Sequence, residues 1–284
     1  MKQSNPKTIQ ELLKSNQIQI KKRFGQNFLI DDNVLNKIVD LAVVSSDDLV
    51  IEIGPGLGSL TQYLVKKAKH VLAYEIDRDL ITILTDTFKA SPFTLIHDDI
   101  LKRDIDKDIK ALKQTFNRII IVANLPYYIT TPILMKCLEE SKLIDSMVVM
   151  MQLEVAKRIT ALSNSKDYNA LSIMVQYRAH AHYGFKVPKN VFIPAPNVDS
   201  AVIRLEFTDY YVKLVKNESF FIEFVKACFK QRRKTLLNNL SSFFALDKTV
   251  IIDHLEQCGI NPQIRAEMLP LMTFIELANY FSKI

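Results

Sequence analysis

The sequence predicts an α/β fold: a doubly wound, mostly parallel sheet followed by a small all-helical region. Three observations predict it. Short β-branched apolar runs alternate with amphipathic helical patterns from residue 49 to residue 207, the alternation expected of parallel strands joined by crossover helices. A glycine-rich stretch, Gly54-Pro55-Gly56-Leu57-Gly58, separates the first of these runs from a helical pattern. Beyond about Thr208 strand patterns vanish and only helical ones remain. A boundary is therefore expected near residues 208–216, dividing a sheet domain (residues 1–207) from a helical domain (residues 208–284).

The elements follow in order. The first twenty residues are polar, with a short amphipathic piece around Ile9, Leu12 and Leu13; then come Lys21-Lys22-Arg23-Phe24-Gly25-Gln26-Asn27-Phe28-Leu29-Ile30. Three consecutive cations suit a phosphate backbone. They equally suit a solvated arm with a hydrophobic staple before the next helix. Asp31 or Asp32 caps a helix whose apolar stripe runs through Val34, Leu35, Ile38, Val39 and Leu41. Strands are expected at residues 49–53, 70–76, 93–96, 119–122, 147–151, 179–187 and 201–207. Helices are expected between them, from Ser59, from Asp77, around residues 109–112, from Thr130 or Thr131 with Pro132 in the first turn, and over 153–162 and 170–177. The tail reads as helices over 220–229, 236–244, 249–258 and 274–281.

Composition narrows the function classes. The formal net charge of +6 over 284 residues fits a polyanionic partner. Cys137, Cys228 and Cys258 are far apart, and neither they nor the five histidines show metal-ligand spacing, so no metal is expected. Residues 1–7 contain no apolar segment of the kind a signal peptide needs. No apolar run approaches the roughly 20 residues that span a bilayer. A cytoplasmic monomer without a membrane partner is expected.

Two corners carry chemistry. The glycine loop lets a nucleotide-like ligand approach the backbone closely, and Glu75, ending the second strand about twenty residues on, suits ribose hydroxyls. The spacing is G-x-G-x-G, and Glu52 lies just before the loop. An acid there suits a cation better than a phosphate. S-adenosylmethionine, with a sulfonium, an ammonium and a ribose diol, fits this pattern, with Gly54, Gly56 and Glu75 as contacts and Asp99 at the adenine edge. The second corner is Asn124-Leu125-Pro126-Tyr127. Pro126 ends a buried apolar strand and holds Leu125 extended. That groups the Asn124 amide, the carbonyl of Leu125 or Pro126 and the Tyr127 ring at a strand's carboxyl end. Two acceptors there can take hydrogen bonds from an adenine amine, and Tyr127 can stack on an unstacked base. The loop Phe192-Ile193-Pro194-Ala195-Pro196-Asn197-Val198-Asp199-Ser200 offers Phe192 either as a second stacking face or as a core residue.

These motifs occur in one order: Arg23-Phe24-Gly25-Gln26-Asn27-Phe28-Leu29, Glu52-Ile53-Gly54-Pro55-Gly56-Leu57-Gly58, Asn124-Leu125-Pro126-Tyr127, the Phe192–Ser200 loop, and Gln231-Arg232-Arg233-Lys234-Thr235-Leu236. Together they resemble the small-subunit (16S) ribosomal RNA adenine N6,N6-dimethyltransferases, the KsgA/RsmA family, from about Lys21 to the end. The resemblance implies a class I S-adenosylmethionine-dependent methyltransferase sheet with a helical carboxyl-terminal domain that binds RNA. It implies dimethylation of two adjacent adenosines in a hairpin near the 3′ end of 16S rRNA, with a role in subunit biogenesis. Donor contacts carried over fall on Asn27, Leu29, Gly54, Glu75, Asp99 and Asn124. The target base falls against Asn124, Tyr127 and Phe192. RNA contacts are expected at Lys21, Lys22, Arg23, Arg232, Arg233 and Lys234, the last three on a helix. The alternatives are a large-subunit rRNA adenine methyltransferase of the antibiotic-resistance type, a non-catalytic nucleic-acid-binding relative, and a DNA adenine methyltransferase, which would carry Asp in place of Asn124.

Overall fold

The computed structural model describes residue 11, residues 13–15, residue 21 and residues 25–284. Lys22, Arg23 and Phe24, and most of the amphipathic piece around Ile9, lie outside the described residues. The strands are β1 (Phe28–Leu29), β2 (Leu49–Ile53), β3 (His70–Glu75), β4 (Phe93–His97), β5 (Ile119–Asn124), β6 (Ser146–Gln152), β7 (Ala179–Val187), β8 (Phe192–Ile193) and β9 (Ser200–Phe207). The helices are α1 (Asp32–Ala42), α2 (Thr61–Lys67), α3 (Arg78–Phe88), α4 (Ile105–Ala111), α5 (Thr130–Glu140), α6 (Leu153–Ile159), α7 (Ala170–Arg178), α8 (Glu218–Cys228), α9 (Leu236–Phe244), α10 (Lys248–Gln257) and α11 (Leu271–Phe281).

Seven strands form one sheet in the order β4-β3-β2-β5-β6-β9-β7. β2 runs parallel to β3 and β5, β3 to β4, and β5 to β6, while β9 is antiparallel to β6. The central strands are continuous apolar runs because helices cover both faces. Val50, Ile120, Val122 and Val148 pack against Leu35, Ile38 and Val39 of α1 in one buried cluster. Helix starts follow the expected chemistry at two places. Asp31 accepts from the Asn33 and Val34 amides (2.8 and 3.0 Å), and Asp77 accepts from the Asp79 amide (3.2 Å). At α5 the expectation of a threonine cap fails. Thr130 is already helical, and its hydroxyl donates to the Pro126 carbonyl at 2.9 Å, binding the helix start to the corner before it.

The chain divides into two compact units, Met1–Ala156 with His182–Phe207, and Lys157–Ala181 with Thr208–Ile284. The expected single cut at residue 207 therefore misassigns residues 157–181. Their helix α7 packs against α8 and α11. Tyr177 stacks obliquely on Phe221 at 4.6 Å between centroids, and Tyr177 and Arg178 both bond Glu218. The second unit is helical throughout its tail, with rings of Phe224, Phe244 and Phe281 meeting in its core.

Candidate active site

From β2 the chain winds outward through β3 and β4; from β5 it winds the other way through β6. The carboxyl ends of β2 and β5 thus flank the point where the winding reverses, the usual ligand site in open α/β sheets. Glu52 is the penultimate residue of β2 and the glycine loop follows that strand, Glu75 ends β3, Asp98 and Asp99 follow β4, and Asn124 ends β5. All of these line one open cavity, with Asn27, Phe28 and Leu29 on one wall and Leu125, Pro126, Tyr127 and Tyr128 on another.

Two acids sit buried at the cavity's base. Glu75 accepts from the Asp77 amide (2.8 Å) and the Gly56 amide (3.2 Å); burial pushes its carboxyl up to about 7. Glu52 accepts from the Thr61 hydroxyl at 2.6 Å, and burial, with Glu75 nearby, pushes it up to about 8. A cation in the cavity favours the ionised form of both. Gly54 has φ +69°, and a methyl group there would meet nothing nearer than Pro126 Cδ at 4.0 Å. Its bare backbone is open to a ligand. Asp99 starts the short turn Ile100–Lys102 and bonds the Leu101 amide through one oxygen (3.0 Å).

At the opposite wall the Asn124 amide is oriented by a partner 97 residues away. Its Nδ2 donates to the Asn27 carbonyl at 3.3 Å, and Asn27 Nδ2 donates to the Gly25 carbonyl at 2.9 Å. With its nitrogen so engaged, Asn124 offers its oxygen as an acceptor. The Pro126 carbonyl accepts from Thr130 and from the Ile129 amide (3.2 Å), so of the two expected carbonyl acceptors Leu125 is the better placed. The Tyr127 hydroxyl shares a 2.6 Å hydrogen bond with Ser200.

Three expectations need correction. Phe192 lies in the core cluster at 3% exposure and does not line the cavity. β1 and β8 form a two-stranded antiparallel sheet pairing Leu29 with Phe192, which supports the cavity wall from behind. Lys21 does not offer a free cation to phosphate. It is bound to Asp77 (2.5 Å) and Asp79 (2.6 Å), and these carboxylates raise its pKa. Arg232, Arg233 and Lys234 stand on an exposed turn between α8 and α9, not on a helix. Buried Asn239 closes that turn, donating to the Cys228 and Gln231 carbonyls (2.8 and 3.3 Å) and accepting from the Gln231 amide (3.2 Å). Arg232 donates to the Lys166 carbonyl at 2.6 Å.

Residues 17–283 match the family model for ribosomal RNA adenine dimethylases. The chain belongs to this family. Ribosomal RNA small subunit methyltransferase A of Bacillus pumilus is 46% identical over 286 residues, covering 99% of this chain and 97% of the relative. The protein of the same name from Streptococcus pneumoniae is 47% identical over 263 residues, with 91% of each chain covered. Among solved structures, a dimethyladenosine transferase from Plasmodium falciparum superposes with a TM-score of 0.75 at 25% identity, covering 90% of this chain and 98% of that one. The 23S rRNA methyltransferase ErmE shares the fold, with a TM-score of 0.67 at 23% identity over 90% of this chain and all of that one. The sheet is thus that of a class I, Rossmann-like methyltransferase. Within this dimethylase scaffold, motif reading missed Tyr128, Ser200 and Asn239. Ser200 closes the Phe192 motif and Tyr128 directly follows Asn124-Leu125-Pro126-Tyr127, so two of the three were adjacent to recognised signals. Among the described residues no group of His, Cys, Asp and Glu could hold a metal, and no helix is long and apolar enough to cross a membrane.

Proposed function

We propose that this protein transfers methyl groups from S-adenosylmethionine to N6 of two adjacent adenosines, dimethylating each, in the hairpin loop near the 3′ end of 16S rRNA. The single observation that carries the reading is the Asn124 amide, which lines the same cavity as the buried acids Glu52 and Glu75 and whose nitrogen is engaged by the Asn27 carbonyl, leaving its oxygen as the acceptor. The residues present fit the donor. Glu75 suits a ribose diol, Gly54 leaves room for an extended ligand against the backbone, Asp99 meets an adenine edge, and the two buried acids favour positive charge. The bound donor supplies an electrophilic methyl group. Asn124 Oδ1 and the Leu125 carbonyl accept hydrogen bonds from the target amine, which turns its lone pair out of conjugation and towards the donor. Tyr127, steadied through Ser200, stacks on the flipped base, a contact worth roughly 1–3 kcal/mol. Catalysis is then mainly alignment. Phosphate contacts come from the exposed turn at Arg233 and Lys234 and from the Lys22-Arg23 segment. Family membership and the near full-length likeness to small subunit methyltransferases favour this substrate over large-subunit rRNA. The same reading makes the protein a cytoplasmic monomer.

Incubation with methyl-labelled donor and immature small subunits, followed by nucleoside analysis, is expected to give dimethyladenosine at neighbouring positions. Label in large-subunit rRNA or DNA, with none in the small subunit, overturns the proposal.

A further inference from the structure

The wall of the cavity formed by residues 25–29 is held by the amine-accepting corner itself, and Tyr128 is the outer half of that grip. Asn124 holds the segment from within, through the Asn27 carbonyl. Asn27 in turn bonds back to the Gly25 carbonyl. Gly25 has φ +57°, and a methyl group on it would lie 3.2 Å from Tyr128 Cδ1 and 3.6 Å from Cε1. The Tyr128 ring therefore rests on the bare Cα of Gly25. Tyr128 is 53% exposed yet lines the cavity, and its hydroxyl lies in the field of Asp99 and Glu75, which together with burial raise its pKa. The segment is fastened on the far side as well: Gln26 Nε2 donates to Asp77 at 2.7 Å, and Lys21 bonds the same carboxylate.

We propose that Tyr128 is a donor-retaining residue, whose ring, seated on Gly25, keeps the 25–29 wall closed over the methyl donor. Tyr127 and Tyr128 then divide the work: Tyr127 faces the acceptor base and Tyr128 the donor. Gly25 is needed for two reasons that act together. A side chain there strains a left-handed backbone and also lifts the ring away. Because one contact joins the two positions, their substitutions do not add. The inference rests on the proposed function, since it takes S-adenosylmethionine and its demethylated product as the ligands.

The test measures binding of S-adenosylhomocysteine by calorimetry and its release by stopped flow, with donor KM and kcat on small subunits. Tyr128→Ala is expected to weaken binding about tenfold, on the scale of removing one aromatic ring from a ligand's wall, with faster release and the effect falling on donor KM rather than kcat. Gly25→Ala is expected to match it, and the double variant to be no weaker than either single one. Tyr128→Phe keeps the ring and is expected to bind as the parent protein does. Unchanged affinity in Tyr128→Ala, additive losses in the double variant, or a Tyr128→Phe loss as large as the alanine's overturns the inference. Failure of the parent protein to bind S-adenosylhomocysteine at all instead overturns the proposed function. Melting curves on each variant separate unfolding from loss of affinity.

Discussion

Glu52 and Glu75 carry the clearest pH signature of any side chains in the site. In the unfolded chain both carboxyls lose their protons near 4.5; in the folded protein burial holds them up to about 8 and about 7. Folding therefore takes up protons between these values, and the ligand-free protein loses stability as pH rises from about 5 to 8. Glu52→Gln should flatten the fall in melting temperature across that window; an unchanged slope would remove Glu52 from the account. A cationic ligand reverses the preference, so donor binding at pH 7 should release protons, seen as a dependence of calorimetric heat on the buffer's ionisation enthalpy. The glycines make a second contrast. A methyl group on Gly58 (φ +83°) would come within 2.6 Å of the Phe88 ring, so Gly58→Ala should cost stability, about 1–3 kcal/mol by denaturant titration. At Gly54 the methyl group meets open cavity, so Gly54→Ala should cost about 1–2 kcal/mol of backbone strain and, beyond that, donor affinity. Asn124→Ala should abolish transfer while leaving the melting temperature within a few degrees. Residual transfer near the parent rate would show that alignment is carried elsewhere.

At the scale of elements, the sheet was readable because buried parallel strands are continuous β-branched runs. The residue pattern of Ile119-Ile120-Ile121-Val122 has few other uses, and the acid or amide that follows each run marks the strand's carboxyl end. The β1–β8 pair was not readable. Two residues carry no periodicity, and their partners lie more than 160 positions apart. The same distance effect hid the fate of Lys21, whose partner Asp77 is 56 residues on, and of Phe192, whose burial depends on β1 and α1. The expected helices end at residue 229 and resume at 236, which frames the turn, yet Arg232, Arg233 and Lys234 were placed on a helix because the turn's determinant, the buried amide of Asn239, lies beyond it in the chain. Asn239→Ala should leave turn carbonyls unsatisfied and cost about 1–3 kcal/mol, measured by denaturation. A neutral result would mean that water replaces the amide.

At the scale of the whole molecule, the modest excess of positive charge gains meaning from where it is free to act. Arg233 and Lys234 are exposed on a turn fixed by Asn239, whereas Arg232 is committed to the Lys166 carbonyl. Replacing Arg233 and Lys234 with Gln should weaken binding to small subunits and reduce the slope of log affinity against log salt by about one for each phosphate no longer neutralised. An intact slope would return these residues to a solvated role. The grouping of residues 157–181 with the tail could not be read from local pattern, because membership in a unit is decided by partners such as Phe221 and Glu218 far along the chain.

The pairing of β1 with β8 has a consequence for synthesis. Phe28 and Leu29 take their strand partners from Ile193 and Phe192, so the pairing that backs this wall cannot form until the chain has been made past residue 193. A nascent chain that stops short of residue 192 already carries the glycine loop, both acids and Asn124, yet lacks the strand that pairs with β1. The cavity in its complete form, with Phe28 and Leu29 backed by β8, therefore belongs only to a chain made past residue 193.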